Sequence, residues 1–506
     1  MSEPGSYPYD AGLHAGGYTT KSWTVRQLAG LADSRSTNER FRFLLEAGET
    51  GLSLAFDLPT QLGLDPDEPE AAGEVGAAGV SVATVDDLAE VFAGIALDRV
   101  SVSFTINATA PILLAMWIVV AEEGGLDPAA LRGTVQNEML KEFLARKATV
   151  FDVDLSFRYS LDVIEYCVQR LPRVNPVSIS GGHAREAGAP RALEIACAVA
   201  DAEAYLAGML ERGFGVDEVA PRFSFILGSH MEVLAEAAKF RTARRLYATR
   251  MRERWDARDP RSLKMRIQVN TFGSALAYQE PLNNVVRATV QAMAAVLGGV
   301  QSLHVCSFDE AHHLPGPLGA RIALRTQQIL AEETDLARYP DPLGGSRVLA
   351  ALAAEQESAA SRWLDLIDEH GGMLACVRSG WLEGEIGEAA LTAALPTVGV
   401  RRPLASETEA LVLSRERPES PANRSRAVRR VPCTAELEAV ARSAREVRNV
   451  VPALVEAARA RATLGEMTRA LRSGHSSSEH SADEHSANQH SADAPRTDPA
   501  AEGVQP

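Results

Sequence analysis

Short apolar runs, rich in β-branched residues, recur along the first two thirds of the chain, and each meets a polar residue at its end. Residues 51–58 (GLSLAFDL) close around Asp57, 100–107 (VSVSFTIN) on Asn107, and 131–137 (LRGTVQN) on Gln136-Asn137. Residues 176–181 (PVSISG) lead to His183, 222–228 (RFSFILG) to Ser229-His230, 263–270 (LKMRIQVN) to Thr271, and 301–307 (QSLHVCS) to Asp309-Glu310. Runs of this length bounded by turn residues predict buried strands. Helical periodicity between them, as at 189–210 and 232–252, predicts crossover helices and parallel strands, an α/β protein. With a weak eighth strand within 336–345, beside DPLGG, the pattern predicts a closed (β/α)8 TIM barrel, which leaves no sheet edge open. A doubly wound open sheet competes. The polar residue ending nearly every strand favours the barrel, whose mouth gathers such groups.

The remaining segments predict an extended Gly/Tyr/Pro arm over 1–20, a barrel over 21–345, a helical region over 346–472 and a low-complexity tail over 473–506. A helix is expected near Trp23, including Arg26, and another over 36–47. The apolar run 108–121, interrupted by Pro111, is too short for a bilayer and reads as a core helix. Residues 347–379 predict helix broken at His370-Gly371-Gly372, roughly 400–430 a loop, and 434–471 amphipathic helix. Three near-copies of EHSAD (479–483, 484–488, 489–493) follow. Their histidines, with His475, His480, His485 and His490 five residues apart, share no face of a helix or strand, and the tail is expected to be disordered.

Charge narrows the partners. A net charge of −16 argues against nucleic acid but not against an anionic ligand, because local arginines can override the global sign. Cys167, Cys197, Cys306, Cys376 and Cys433 form no CxxC or metal-ligand spacing, which predicts reduced thiols in a cytoplasmic protein. The N-terminus shows no basic segment followed by an apolar one, so no secretory signal is expected.

The chemistry concentrates at 176–189 (PVSISGGHAREAGA), where a strand end delivers the imidazole of His183, followed by Glu186. On residues alone, His183 divides evenly between a catalytic role and a helix start. A second feature is distributed. Ser53, Ser103, Thr105, Ser178, Ser180, Ser224 and Ser302 lie inside otherwise apolar strands, where a barrel core prefers Val, Ile and Leu. Together they favour a polar channel along the axis.

The segments WTVRQLAG (23–30), GLSLAFDLPTQLG (51–63), SVSFTINATA (101–110), GTVQNEMLKEF (133–143), SISGGHAREAGA (178–189), QSLHVCSFDEA (301–311) and RATLGEMTRALR (461–472) carry a resemblance. In this order they resemble the large catalytic subunit of adenosylcobalamin-dependent acyl-CoA mutases, the group of methylmalonyl-, ethylmalonyl- and isobutyryl-CoA mutases. The resemblance implies a TIM barrel with pantetheine threaded down a polar axis, cobalamin over the mouth, and a radical 1,2-rearrangement of the acyl skeleton. It implies that His183 hydrogen-bonds the migrating thioester carbonyl beside Gln136. It places Glu186 and Glu310 near the adenosyl ribose, with Asn270 and Cys306 close to the cofactor. Arg222, Asn175, Gln301 and Ser302 match coenzyme A contacts, and Ser53, Ser103, Thr105 and Ser224 line the channel.

Arg146 occupies the position that reads the acyl substituent. A guanidinium there implies a carboxylated acyl-CoA. Leu28 and Gly182 replace two tyrosines of the methylmalonyl type, which implies a roomier pocket and a bulkier substrate. Cys306, Asn270 and Ser274 depart from an Asn, a Gln and a Trp near the cofactor. No DxHxxG segment is present, so the cobalt ligand is expected from a small cobalamin-binding partner subunit, with this chain dimerising inside a heterotetramer and a GTPase chaperone as a possible further partner. The arm and the 346–472 helices are the expected contact elements. A catalytically impaired partner subunit of the same fold is the alternative. A cobalamin-free barrel lyase ranks last, for want of a lysine or metal cluster at the strand ends.

Overall fold

A computed structural model describes residues 2–391 and 426–475. Ten parallel strand segments form two five-stranded sheets. They are β1 (Thr24–Val25), β2 (Leu28–Ala29), β3 (Gly51–Ala55), β4 (Ser101–Thr105), β5 (Gly133–Val135), β6 (Val174–Asn175), β7 (Val177–Ser180), β8 (Phe223–Ser229), β9 (Ile267–Thr271) and β10 (Ser302–His304). One sheet runs β2-β3-β4-β5-β6 and the other β1-β10-β9-β8-β7. β1 and β2 are one chain segment interrupted at Arg26-Gln27, and β6 and β7 one segment interrupted at Pro176. The order is therefore that of an eight-stranded (β/α)8 barrel. Hydrogen bonds bridge the seams: Thr50 N–H to Val25 O at 3.2 Å and Ser178 N–H to Gln136 O at 2.9 Å. Proline at 176 has no N–H to donate, which accounts for the break there.

Two expectations are corrected. The segment near Trp23 and Arg26 is not helical; β-branched Thr24 and Val25 pair with Ser302 and Leu303, and the Arg26 N–H donates to Leu303 O. It is the eighth strand, and it comes first in the chain. Residues 336–345 form turns, not a strand. The 434–471 pattern divides into Thr434–Arg445, Val451–Arg459 and a helix over 464–475. The EHSAD repeats and most of the 400–430 loop lie outside the described residues.

Side chains alternate along the strands as the pleat requires. Leu52, Leu54, Val102, Phe104, Val135, Val177, Ile179, Phe225, Leu227, Val269 and Leu303 are fully buried beneath the surrounding helices. The inward set is small and polar. Register aligns Ser53, Ser103, Thr134 and Asn175 across β3 to β6, Ser178 with Ser224, and Gln268 with Ser302 and Thr24. The helix Ala110–Glu123, apolar on nearly every face, is buried between the barrel and Val451–Arg459.

The arm folds under the barrel's own base. Arg244 donates to the carbonyls of Tyr9 (2.9 Å) and Asp10 (3.0 Å), and the Tyr18 hydroxyl to Val300 O (2.7 Å). The C-terminal helices lie on the flanks. Gln356 reaches Ala235 O at 2.9 Å on one side, and Asp65 accepts from Thr463 Oγ1 (2.7 Å) and Gly465 N–H (2.9 Å) on the other. Among the described residues no helix is long and apolar enough to cross a membrane.

Candidate active site

Two openings lie along the axis. At the amino-terminal ends of the strands lies a cleft of about 660 Å³, bordered by Thr24, Asn175, Ser178, Ser224, Gln301 and Ser302. Toward the carboxyl ends lies a cavity of about 270 Å³, bordered by Leu28, Ser53, Ser103, Thr105, Gln136, Arg146, His183 and Asn270. Gln268 borders both, so this one side chain of the polar inner layer lies between the two.

His183 follows β7 on the short helix Gly181–Glu186. A Cβ at Gly181 would lie 2.2 Å from Glu194 O, and one at Gly182 3.2 Å from Gly228 N. The glycine pair thus seats the helix against β8 and turns the imidazole inward. Ser180 Oγ lies 2.6 Å from His183 Nδ1. Burial, then the charges of Lys141 and Arg146, holds the imidazole well below its ordinary pKa, so it is neutral at pH 7. Gln136 Oε1 accepts from Asn107 at 3.1 Å.

Arg146 ends a π-helical turn, Glu142–Arg146, a distortion common at functional sites. Its Nη1 donates to Glu142 Oε1 (3.2 Å) and its Nη2 to Gln61 Oε1 (2.9 Å). The same Glu142 oxygen takes Lys141 Nζ at 2.6 Å and Asn107 Nδ2 at 2.6 Å. One buried carboxylate therefore serves two cations. Burial pushes the neighbouring Glu138 up to about 7 and raises Asp201 well above the carboxylate range, so neither restores the balance in full. Burial also lowers the Lys141 ammonium, so the cluster shares few charges and Arg146 is its most exposed cation.

The base is more strongly cationic. Lys21, Arg99, Arg132, Arg173, Lys264 and Arg266 border the larger cleft, and among the described residues none is in ion-pair range of a carboxylate. Reasoning from sequence did not assemble this set. The available signal was a basic residue one or two places before β4, β5, β6 and β9.

Other expected residues stand differently. Arg222 donates to Leu171 O at 2.6 Å and to Cys167 O and Val174 O, capping a helix end away from both openings. Gln301 spends its amide on Ile267 N–H and Gly299 O, both at 2.8 Å. Leu28 sits at the rim, 41% exposed. Glu186 accepts from Gly273 N–H at 3.0 Å, and Glu310 from Ser307 N–H at 2.8 Å; burial raises both carboxyls. These two acceptors at the carboxyl-end face suit the hydroxyl donors of a ribose, so the residues fit an adenosyl group there.

His304, missed from sequence, brings a donor atom within 4.8 Å of Cys306 and Glu310, a grouping that could hold a metal ion. The donors are already engaged: His304 Nδ1 accepts from Leu28 N–H (3.2 Å), Cys306 Sγ donates to Thr271 O (3.0 Å), and Glu310 holds Ser307. Burial pushes the His304 imidazole down to about 4, the Arg26 carbonyl opposing weakly. Between pH 6.5 and 4 the unfolded chain binds a proton that the folded chain refuses, so stability is lost as pH falls through that window. His304→Asn is expected to remove about 2 kcal/mol of this acid-side loss, read from urea unfolding at pH 7 and pH 4.5. Identical pH slopes for the variant and the native chain contradict the assignment.

Comparison with known proteins agrees with this architecture. The family described as methylmalonyl-CoA mutase matches residues 1–477. The 2-hydroxyisobutanoyl-CoA mutase large subunit of Aquincola tertiaricarbonis is 38% identical over 485 residues, covering 93% of this chain and 86% of that protein. Methylmalonyl-CoA mutase of Escherichia coli is 40% identical, covering 92% of this chain and 68% of its own length. The human mitochondrial methylmalonyl-CoA mutase is 38% identical, covering 93% and 65%. The chain thus spans about two thirds of those two methylmalonyl-CoA mutases. By its strand order, its polar axis and its likeness along nearly the whole length, this chain belongs to the methylmalonyl-CoA mutase family, coenzyme B12-dependent isomerases that act on acyl-CoA thioesters.

Proposed function

We propose that this chain is the catalytic subunit of an acyl-CoA mutase acting on a carboxylated acyl group bulkier than methylmalonyl, with cobalamin carried by a separate small subunit. One observation carries the reading: the polar inner layer of the strands lies between a rim of cations at the base and His183, Gln136 and Arg146 at the top. Coenzyme A matches both ends. Its phosphates suit Arg99, Arg132, Arg173 and Lys264, and its pantetheine amides suit the serine and threonine layer.

In the proposed pose the thioester carbonyl meets His183. With Ser180 Oγ–H donating to Nδ1, the neutral ring presents Nε2–H as a hydrogen-bond donor. The Gln136 amide supplies a second polar contact. Arg146 takes the acyl carboxylate, a charge-assisted pair that sets orientation as well as affinity. Leu28 leaves room at the rim where an aromatic group would narrow the cavity, whereas a side chain at Gly182 would meet the β8 backbone instead. Glu186 and Glu310 hold the adenosyl ribose, with Asn270 and Cys306 nearby, and adenosylcobalamin supplies the hydrogen-abstracting radical when bound. The 2-hydroxyisobutanoyl-CoA mutase relative is itself named a large subunit, which supports a small partner here.

The test is reconstitution with a separately expressed cobalamin-binding subunit and adenosylcobalamin, with products followed by mass spectrometry. Faster isomerisation of carboxylated acyl-CoAs larger than methylmalonyl-CoA is expected. Equal or faster turnover of methylmalonyl-CoA, or of an uncharged acyl-CoA, overturns the substrate assignment.

A further inference from the structure

We propose that Gln61 is a specificity-positioning residue: it holds the Arg146 guanidinium facing the acyl cavity and so sets the preference for a carboxylated acyl group. The proposal rests on the carboxylate reading of Arg146 given above.

Gln61 lies on the five-residue helix Leu58–Leu62. Asp57 pins the start of that helix, its Oδ1 accepting from Thr60 N–H (3.0 Å) and its Oδ2 from Gly76 N–H (2.8 Å). The Gln61 amide has one orientation, because its Nε2 donates to Phe56 O at 2.6 Å. Only its oxygen remains, and that oxygen accepts from Arg146 Nη2. The two residues are 85 positions apart and both border the cavity.

Without Gln61, Arg146 keeps a single side-chain anchor, Glu142 one turn back on its own π-helical segment. A one-third-exposed arginine on one anchor pivots, and pivoting lowers the share of time in which its free N–H groups face a ligand. With both anchors, two of the five guanidinium N–H donors are committed and three remain for a carboxylate. The same chain of contacts continues from Glu142 through Asn107 to Gln136. The reader of the acyl substituent is thereby registered against the residue proposed at the thioester.

The test is calorimetric binding of succinyl-CoA and butyryl-CoA to the full chain. These ligands differ by a carboxylate against a methyl group, and binding needs neither turnover nor the partner subunit. Native protein is expected to prefer succinyl-CoA. Gln61→Leu should shrink that preference about tenfold, as expected for one hydrogen bond to a charged group, with butyryl-CoA affinity within about twofold of native. In an Arg146→Gln background, Gln61→Leu should change nothing further. If Gln61→Leu leaves the preference intact while Arg146→Gln abolishes it, the positioning role is wrong and the carboxylate reading survives. Equal weakening of both ligands by Gln61→Leu marks a purely structural residue and also overturns the proposal. If Arg146→Gln leaves the preference unchanged, both readings fall.

Discussion

His183→Ala is expected to lower turnover by about 10²- to 10⁴-fold while affinity for coenzyme A stays within about twofold of native. The asymmetry follows from geometry. The imidazole borders the upper cavity, whereas the unpaired cations border the cleft at the opposite end of the strands. Removing the ring deletes a donor held in place by Ser180 and leaves the base untouched, so retained coenzyme A binding reports an intact fold. A pH profile sharpens the test. Burial with Lys141 and Arg146 keeps His183 neutral, so native turnover should show no ionisation near pH 6.5 that vanishes in the variant. Turnover above a tenth of native removes His183 from the chemistry.

Lys239→Met is expected to cost about 3–5 kcal/mol of stability, the largest loss of any single substitution considered. Lys239, Glu194 and Glu236 are all fully buried. The ammonium lies 2.8 Å from Glu194 Oε2 and 2.5 Å from Glu236 Oε2. It also donates to Gly228 O, while Glu194 Oε1 accepts from Gly228 N–H. This network clamps the end of β8 under the helix bearing His183. Without the lysine, Glu194 loses its buried cation in a dry site and must hold a proton that the unfolded chain releases. Burial already raises Glu194. Folded carboxyl values above the unfolded ones mean stability is lost as pH rises. The gap between variant and native should therefore widen from pH 5 to pH 8 in urea titrations. A deficit under 1 kcal/mol at pH 8, or one independent of pH, refutes the account.

The central strands and the polar channel were readable because both are local patterns. A serine between two buried apolar residues, as at Ser103 or Ser178, declares its inward direction by alternation alone. The first strand was not readable. Its halves span two residues each, and its partner Ser302 lies 278 residues away; no window of sequence contains that pairing. The cations at the base hid for a similar reason. Each arginine before a strand resembles an ordinary surface charge, and only the parallel pairing of β4, β5 and β6 brings Arg99, Arg132 and Arg173 to one rim. Arg222 shows the limit of position as a guide: it too precedes a strand, but carbonyls at 167, 171 and 174 claim its guanidinium.

The separation of the two openings makes the barrel a ruler. A ligand satisfies both ends only if its anionic head and its thioester are spaced by the length of the polar layer between them. A truncated thioester, such as an N-acetylcysteamine adduct, can reach the imidazole but leaves the rim of cations bare. In the proposed pose, selection of the carrier is built into the depth of the barrel, independently of which acyl group the carrier brings.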